Sequence, residues 1–417
     1  MLLDLSPLRR HRDFRLLFAG QLVSMLGSMV TYVAVPYQLY QLTESSFLVG
    51  MLGVAQLVPL LFSGLWGGAY ADAVDRRQML TYAEVALAGC SVALAANTWL
   101  ERPSVALIFV LSALMSAVNG FHRPALESMT PRLVDSEELP SVGALQALRS
   151  SVGAIAGPAF GGLCIARWGI GATYLFDFAT FAFSLAALRA MAAMPPPDAA
   201  PRPGLSSVIE GLRYARSRPE LIGTYVVDIV AMTFAMPMAL FPALAQTWGA
   251  ATAAGWLYSA MSIGSLALTL FSGWCARIRR HGAAVIVSAA VWGVAIVALG
   301  YAPNLGLAVV CLIVAGGADM ASGVYRMTIW NQTIPTHLRG RLASVEMLSY
   351  MTGPLLGNAR AGWMASAVSN RFSIVVGGII CVSGVLICIP LLPVFWKYRR
   401  EEAQPQAGYL VESSVAS

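Results

Sequence analysis

The sequence predicts an all-α membrane protein of twelve transmembrane helices in two pseudo-symmetric six-helix bundles, and three observations carry that reading. The 417 residues are 57% hydrophobic and only 12% charged, where a soluble domain carries about 25% charge. The apolar residues fall into twelve runs, each near the ~20 residues of helix that cross a ~30 Å hydrocarbon core. Positive charge is gathered between alternate runs.

The runs lie near 16–39, 47–71, 79–100, 104–124, 140–166, 170–193, 220–246, 253–276, 283–302, 305–330, 341–367 and 372–396. An unpaired backbone amide in hydrocarbon costs several kcal/mol, so such segments are helices or a closed barrel. The ~10-residue alternation of barrel strands is missing, which leaves helices. Of the 27 basic residues, all but Lys397 are Arg. With the N-terminus inside, 23 of the 27 fall on inner segments, and only Arg102, Arg167, Arg360 and Arg371 on outer ones. Loops rich in Lys and Arg stay cytoplasmic, so both termini are expected in the cytoplasm of a multi-pass cell-membrane protein. The net charge of +6 then reports topology. Spread over many short loops, it gives no nucleic-acid footprint.

Along the chain, Met1 to Arg15 is polar and basic, and the run after it is too long for a signal peptide and has no small-residue cleavage site. The first run offers Gln21, Ser24, Thr31, Tyr32 and Gln38 for cargo contact, and the seventh offers Tyr225, Met232, Phe234 and Met236. Met and aromatic side chains adapt to several ligands; ordinary packing is the competing reading for each.

After the second run the sequence reads Gly67-Gly68-Ala69-Tyr70-Ala71-Asp72-Ala73-Val74-Asp75-Arg76-Arg77. Gly68 admits a close neighbouring helix. Asp72 can face a helix N-terminus, worth ~0.3–1 kcal/mol, and Arg76 and Arg77 can pair with it or with lipid phosphate. The fifth run carries Gly153, Gly157, Pro158, Gly161 and Gly162, a groove on one helical face bent by the proline; a packing seam without directional meaning is the alternative. The eleventh run repeats part of it as Gly353-Pro354-Leu355-Leu356-Gly357.

A Pro-rich stretch reads as a linker over 194–219, between bundles over 1–193 and 220–400; 401–417 is expected to be a disordered tail. The halves echo each other: Gly68 before Arg76-Arg77 matches Gly273 before Arg279-Arg280, and Gly157-Pro158 matches Gly353-Pro354. Such internal symmetry marks secondary transporters, with the substrate site between the halves near the midplane.

Ionisable groups inside apolar runs are the functional candidates, because hydrocarbon tolerates them only toward a cavity or partner. They are Asp228, Asp319, Arg326 and Arg149, with Asp177 expected to cap a helix at the outer interface. Asp228 and Asp319 are the choices for proton or cation binding. Asp319 and Arg326 stand two turns apart on one face, so they are a coupling pair or a structural one. Arg149 is read as a gate residue. The six cysteines stand singly in apolar runs, the four histidines stand at inner ends in separate loops, and no metal spacing or nucleotide-binding Gly-rich loop with Lys occurs. No metal, cofactor, ATP or enzymatic reaction is expected.

The loop around Gly68, Asp72, Arg76 and Arg77 resembles the signature of the major facilitator superfamily, with Ala73 and Asp75 where an Arg and a Gly are expected. The glycines of the fifth run resemble the superfamily's antiport motif. With Leu5-Ser6-Pro7-Leu8-Arg9-Arg10-His11-Arg12-Asp13-Phe14-Arg15, Ala34-Val35-Pro36 and Leu240-Phe241-Pro242-Ala243-Leu244-Ala245, the chain resembles the enterobactin-exporter branch. That resemblance implies export of a siderophore or another amphipathic small molecule by alternating access, driven by an ion gradient, by default protons. It also implies a cavity lined by helices 1, 4, 7 and 10. The basic residue usual within helix 4 of proton antiporters has only Arg123, at the helix end, as its nearest counterpart. Multidrug efflux, solute import by symport and a receptor or scaffold role are the alternatives, and a monomer in contact with lipid is expected.

Overall fold

Four of the long helices start where a side chain accepts from the orphan amides of a first turn. Ser104 accepts from Leu107 N, Asn304 from Leu307 N, Ser369 from Phe372 N, and Asp75 from both Arg77 N and Gln78 N. The computed structural model describes residues 4–73, 75–192, 213–335 and 339–399, so most of the linker and the C-terminal tail lie outside the described residues.

After a short turn, Ser6–Arg10, the long helices are α1 Arg12–Thr43, α2 Ser46–Ala73, α3 Arg76–Thr98 and α4 Val105–Met129. The stretch Leu139–Arg189 supplies two legs, α5 before Gly169 and α6 after it. Gly169 has φ 79°, a conformation L side chains rarely adopt. Phe160 and Phe176 stack edge-on with centroids 5.2 Å apart, whereas a straight helix would hold them ~24 Å apart. The legs therefore form a hairpin. α7 comprises Pro219–Ala235, a 3-10 turn Met238–Leu240 after Pro237, and Phe241–Thr247. Then come α8 Ala250–Leu270, α9 His281–Leu299, α10 Leu305–Thr333, α11 Arg339–Ala367 and α12 Asn370–Leu391.

Among the described residues, ten helices are long and apolar enough to cross a membrane. That count takes the hairpin once and omits α11, and so agrees with twelve spans. α1 packs on both legs of the hairpin, α3 on α4 and α6, and α2 on α4; in the second half α10 packs on α8 and α9, and α12 on α9 and α7. The outward faces are apolar, as lipid requires. Val287, Val291, Val294, Val310, Val314 and Leu386 are exposed and line an apolar groove of about 480 Å3 between α9, α10 and α12.

The halves meet along two seams, α2 against α11 and α5 against α8. A Cβ on Gly50 would stand 2.5 Å from the Asn358 carbonyl oxygen, and one on Gly53 2.6 Å from that of Leu355. In the other seam Ser259 Oγ donates to the Ile155 carbonyl at 2.7 Å. These contacts use the start of α2 and α8 and the later turns of α5 and α11, away from the arginine-rich end. Toward that end, among the described residues, Gly143 and Gly273 have nothing within 4 Å of a built Cβ, and Tyr350 of α11 is 59% exposed. Among the described residues, the halves touch at one end and stand apart at the other.

Candidate cargo cavity and buried charges

Between the halves lies a cavity of about 400 Å3. α1 contributes Thr31 and Tyr32, α2 Gln56, α4 Ser112, Ser116 and Asn119, α8 Tyr258, and α11 Met351 and Asn358. The broken α7 closes it with Met238 and Ala239. Pro237 and Pro242 keep α7 from running through, and the freed Ala239 N donates to Asn358 Oδ1 at 3.0 Å. Tyr32 Oη reaches Met238 Sδ at 3.1 Å and Tyr258 Oη donates to the Met238 carbonyl at 3.1 Å. The two Tyr rings meet edge-on at 5.5 Å. Met, Tyr, hydroxyl and amide groups together make an adaptable wall for an amphipathic molecule.

Of the expected cargo residues, Thr31 and Tyr32 line this cavity. The others do not. Gln21 Nε2 donates to Glu84 Oε1 at 2.5 Å inside the first half, and Gln38 accepts from Tyr174 Oη at 2.8 Å. Ser24 is 3% exposed and is not part of the wall. Span 1 turns one polar face to the cavity and another into its own bundle, which apolar periodicity cannot distinguish. Tyr225 stacks on Trp330 at 5.3 Å. Met232 and Met236 pack on Gly353 and Gly357 of α11. Phe234 is likewise not part of the wall.

The coupling candidates converge. Arg326 Nη1 is ion-paired to Asp228 Oδ1 across α10 and α7, and its Nη2 stands 4.0 Å from Asp319 Oδ1. Asp228 is thus the closer partner of Arg326, and Asp319 of the same helix reaches it at the longer distance. Asp228 side chain is 6% exposed and that of Asp319 35%, so Asp319 is the member nearer water. Arg149 is half-buried one turn before Gly153, with no ion-pair partner among the described residues. Asp177, expected at an interface, is instead fully buried and accepts from Thr31 Oγ1 at 2.6 Å and Ser91 Oγ at 2.8 Å.

In the loop after α2, the surroundings of Gly68 and the Asp72 side chain lie outside the described residues. Arg76 Nη1 donates to the Ser128 carbonyl at 3.3 Å. Arg77 Nε and Nη2 donate to the Leu188 and Arg189 carbonyls at 2.8 and 3.0 Å, closing the C-terminus of α6 where cations are favoured. Asp75, a departure from the family pattern, is the N-cap of α3. Among the fifth-run glycines, Gly153, Gly157 and Gly161 face Met25, Met29 and Val30 of α1, within one half. Pro158 and Gly162 face α8, across the halves.

Two residues were missed from sequence. Glu84 of α3 is 0% exposed and lies 3.7 Å from His122 Nε2 of α4. Glu84 is a lone carboxylate in an apolar run, the same signal that marks Asp228. His122 stands inside α4, which runs on to Met129, rather than in a loop at the helix end.

A family model described as transmembrane secretion effector matches residues 3–415. Proteins named enterobactin exporter EntS from Shigella boydii serotype 4 and Escherichia coli strain SE11 are each 29% identical to this chain over 394 residues, covering 94% of it and 94% of the relative. Among solved structures, a peptide transporter POT in complex with sulfate superposes with TM-score 0.74 at 13% identity, over 94% of this chain and 96% of that one. The nucleoside transporter NupG gives 0.72 at 11%, over 92% and 98%. A bacterial homolog of the human lysosomal transporter Spinster, inward-facing and unoccupied, gives 0.70 at 12%, over 92% and 95%. At such identities the likeness shows the fold.

Proposed function

This chain belongs to the transmembrane secretion effector family of the major facilitator superfamily, and we propose that it exports a siderophore or a related amphipathic small molecule across the plasma membrane in exchange for protons. The observation that carries the reading is the cavity shared by both halves, sealed by two glycine-lined seams at one end and open at the arginine-rich end. With arginine loops in the cytoplasm, this is the state that collects cargo from inside, with both termini cytoplasmic. Enterobactin is the first cargo to try, since it is named for the relatives.

In this reading cargo enters past Tyr350, settles against Tyr32, Tyr258 and Met238, and the halves rock so that the seams part. Asp319 takes and gives the coupling proton, while Asp228 holds Arg326. No bond of the cargo changes, and the gradient stands in for ATP or any cofactor; the chain works as a monomer among lipids. The test is uptake of labelled enterobactin, and of a drug panel, by inverted and right-side-out vesicles with and without an imposed pH gradient. Gradient-driven uptake into inverted vesicles is expected. Uptake confined to right-side-out vesicles would make the protein an importer.

A further inference from the structure

Three rungs of polar side chains cross the α1–α3–α6 interface of the first half. Tyr174 Oη donates to Gln38 Oε1, and Gln38 Nε2 to Thr98 Oγ1 at 3.1 Å. Thr31 and Ser91 donate to Asp177 Oδ2, with Thr180 Oγ1 at 3.5 Å from Oδ1. Gln21 Nε2 and Ser184 Oγ donate to Glu84 Oε1 at 2.5 and 2.8 Å. On α3 the rungs fall at Thr98, Ser91 and Glu84, two helical turns apart.

The first two rungs are internally satisfied; the third is not. Glu84 is fully buried, yet among the described residues its Oε2 has no hydrogen-bond partner. His122 Nε2, 3.7 Å from Oε1, has none either. A buried carboxylate without compensation is costly, so it takes a proton or a counter-charge. The surrounding elements offer few charges among the described residues. α4 brings His122; α1 and α6 bring the neutral Gln21 and Ser184, with Asp177 two turns off along α6. On α3 itself, Arg76 and Arg77 hold carbonyls of α4 and α6. Arg123, next to His122, is engaged by Glu127 at 2.9 Å. The Asp72 side chain of α2 lies outside the described residues.

We propose that Glu84 and His122 form a proton-binding pair on the arginine-rich side of the cargo cavity. A proton arriving at Nε2 of neutral His122, whose side chain is 13% exposed, makes an imidazolium opposite the Glu84 carboxylate. Passed on to the Glu84 carboxyl, whose unpartnered oxygen is Oε2, the same proton leaves a neutral imidazole and a carboxylic acid. Nothing else is made or broken. Leu87 and Asn119 lie one turn along α3 and α4 from the pair, and both line the cavity. Loading the pair thus changes charge one turn from the cargo. That consequence for transport rests on the proton-coupled reading above; the binding of the proton does not.

The test is infrared difference spectroscopy of the purified full chain without cargo, titrated between about pH 5 and 8, where an imidazole partner changes charge. The wild type is expected to show the C=O stretch of a buried carboxylic acid that vanishes as pH rises. Glu84→Gln removes the band, Asp177→Asn leaves it, and in His122→Gln it persists across the window. A titrating band that survives in Glu84→Gln, or an unchanged pH profile in His122→Gln, overturns the proposal. Should Glu84→Gln fail to fold, the His122→Gln profile decides alone. Because no cargo is present, failure of the export reading leaves this result intact.

Discussion

Gly162 of α5 and Gly255 of α8 meet with no side chain between them: a Cβ on Gly162 would stand 2.9 Å from Gly255 Cα, and one on Gly255 2.6 Å from the Pro158 carbonyl oxygen. Both atoms obstructing a new methyl are backbone, which cannot rotate away. The contact joins the two halves, so crowding it acts on the equilibrium between the open ends more than on either bundle.

Gly162→Ala is therefore expected to disfavour the state sealed at this end. Overpacking costs about 1–3 kcal/mol, which corresponds to about a 5- to 150-fold shift in a two-state equilibrium. Spin-label distances across the α5–α8 seam should lengthen, with thermal stability in detergent little changed. Unaltered distances would show the seam to be permissive.

Gly157→Leu acts elsewhere, because Gly157 faces the Met29 side chain of α1 inside one half. The expected result is a loss of folded protein by fluorescence-detected size exclusion, with transport falling in proportion. Normal yield with blocked transport would put Gly157 in the moving interface instead.

Asp228→Asn should destabilise far more than Asp319→Asn. Removing one partner of a buried pair costs about 3–5 kcal/mol, and Asp228 is the direct partner of Arg326 whereas Asp319 stands 4.0 Å off. Arg326→Gln added to Asp228→Asn should recover part of the loss. Asp319→Asn should keep its fold, lose pH-driven accumulation in inverted vesicles, and retain part of equilibrium exchange. The reverse order of melting temperatures would return Asp319 to the structural role.

Tyr32→Ala should raise the KM for cargo without lowering the folded yield. Tyr32 is 45% exposed into the cavity and holds Met238 and the Tyr258 ring. An aromatic contact of this kind is worth about 0.5–1.5 kcal/mol, so roughly a 2- to 12-fold rise is expected. Equal kinetics would move the cargo site off this wall.

Hydropathy reads the spans well because lipid imposes length and apolarity on each helix separately. It located Asp228, Asp319 and Arg326 by the same rule. It could not pair them, since periodicity relates Arg326 to Asp319 on its own helix but is silent about Asp228 on another. Gln21 and Gln38 read as cavity residues for a similar reason: span 1 is polar on two faces, and only packing tells which meets α3 and α6. The hairpin corner was legible only as a boundary between runs. Its cause, Gly169 at positive φ, is one glycine among 38.

Asn358 occupies three places at once. Its side chain lines the cavity, its Oδ1 holds the Ala239 amide at the break of α7, and its backbone carbonyl abuts Gly50 of the other half. A molecule that displaces the α7 turn as it enters pulls on the residue that keeps α11 against α2. Occupancy and sealing thereby meet in a single residue, its side chain at the cavity and its backbone at the seam.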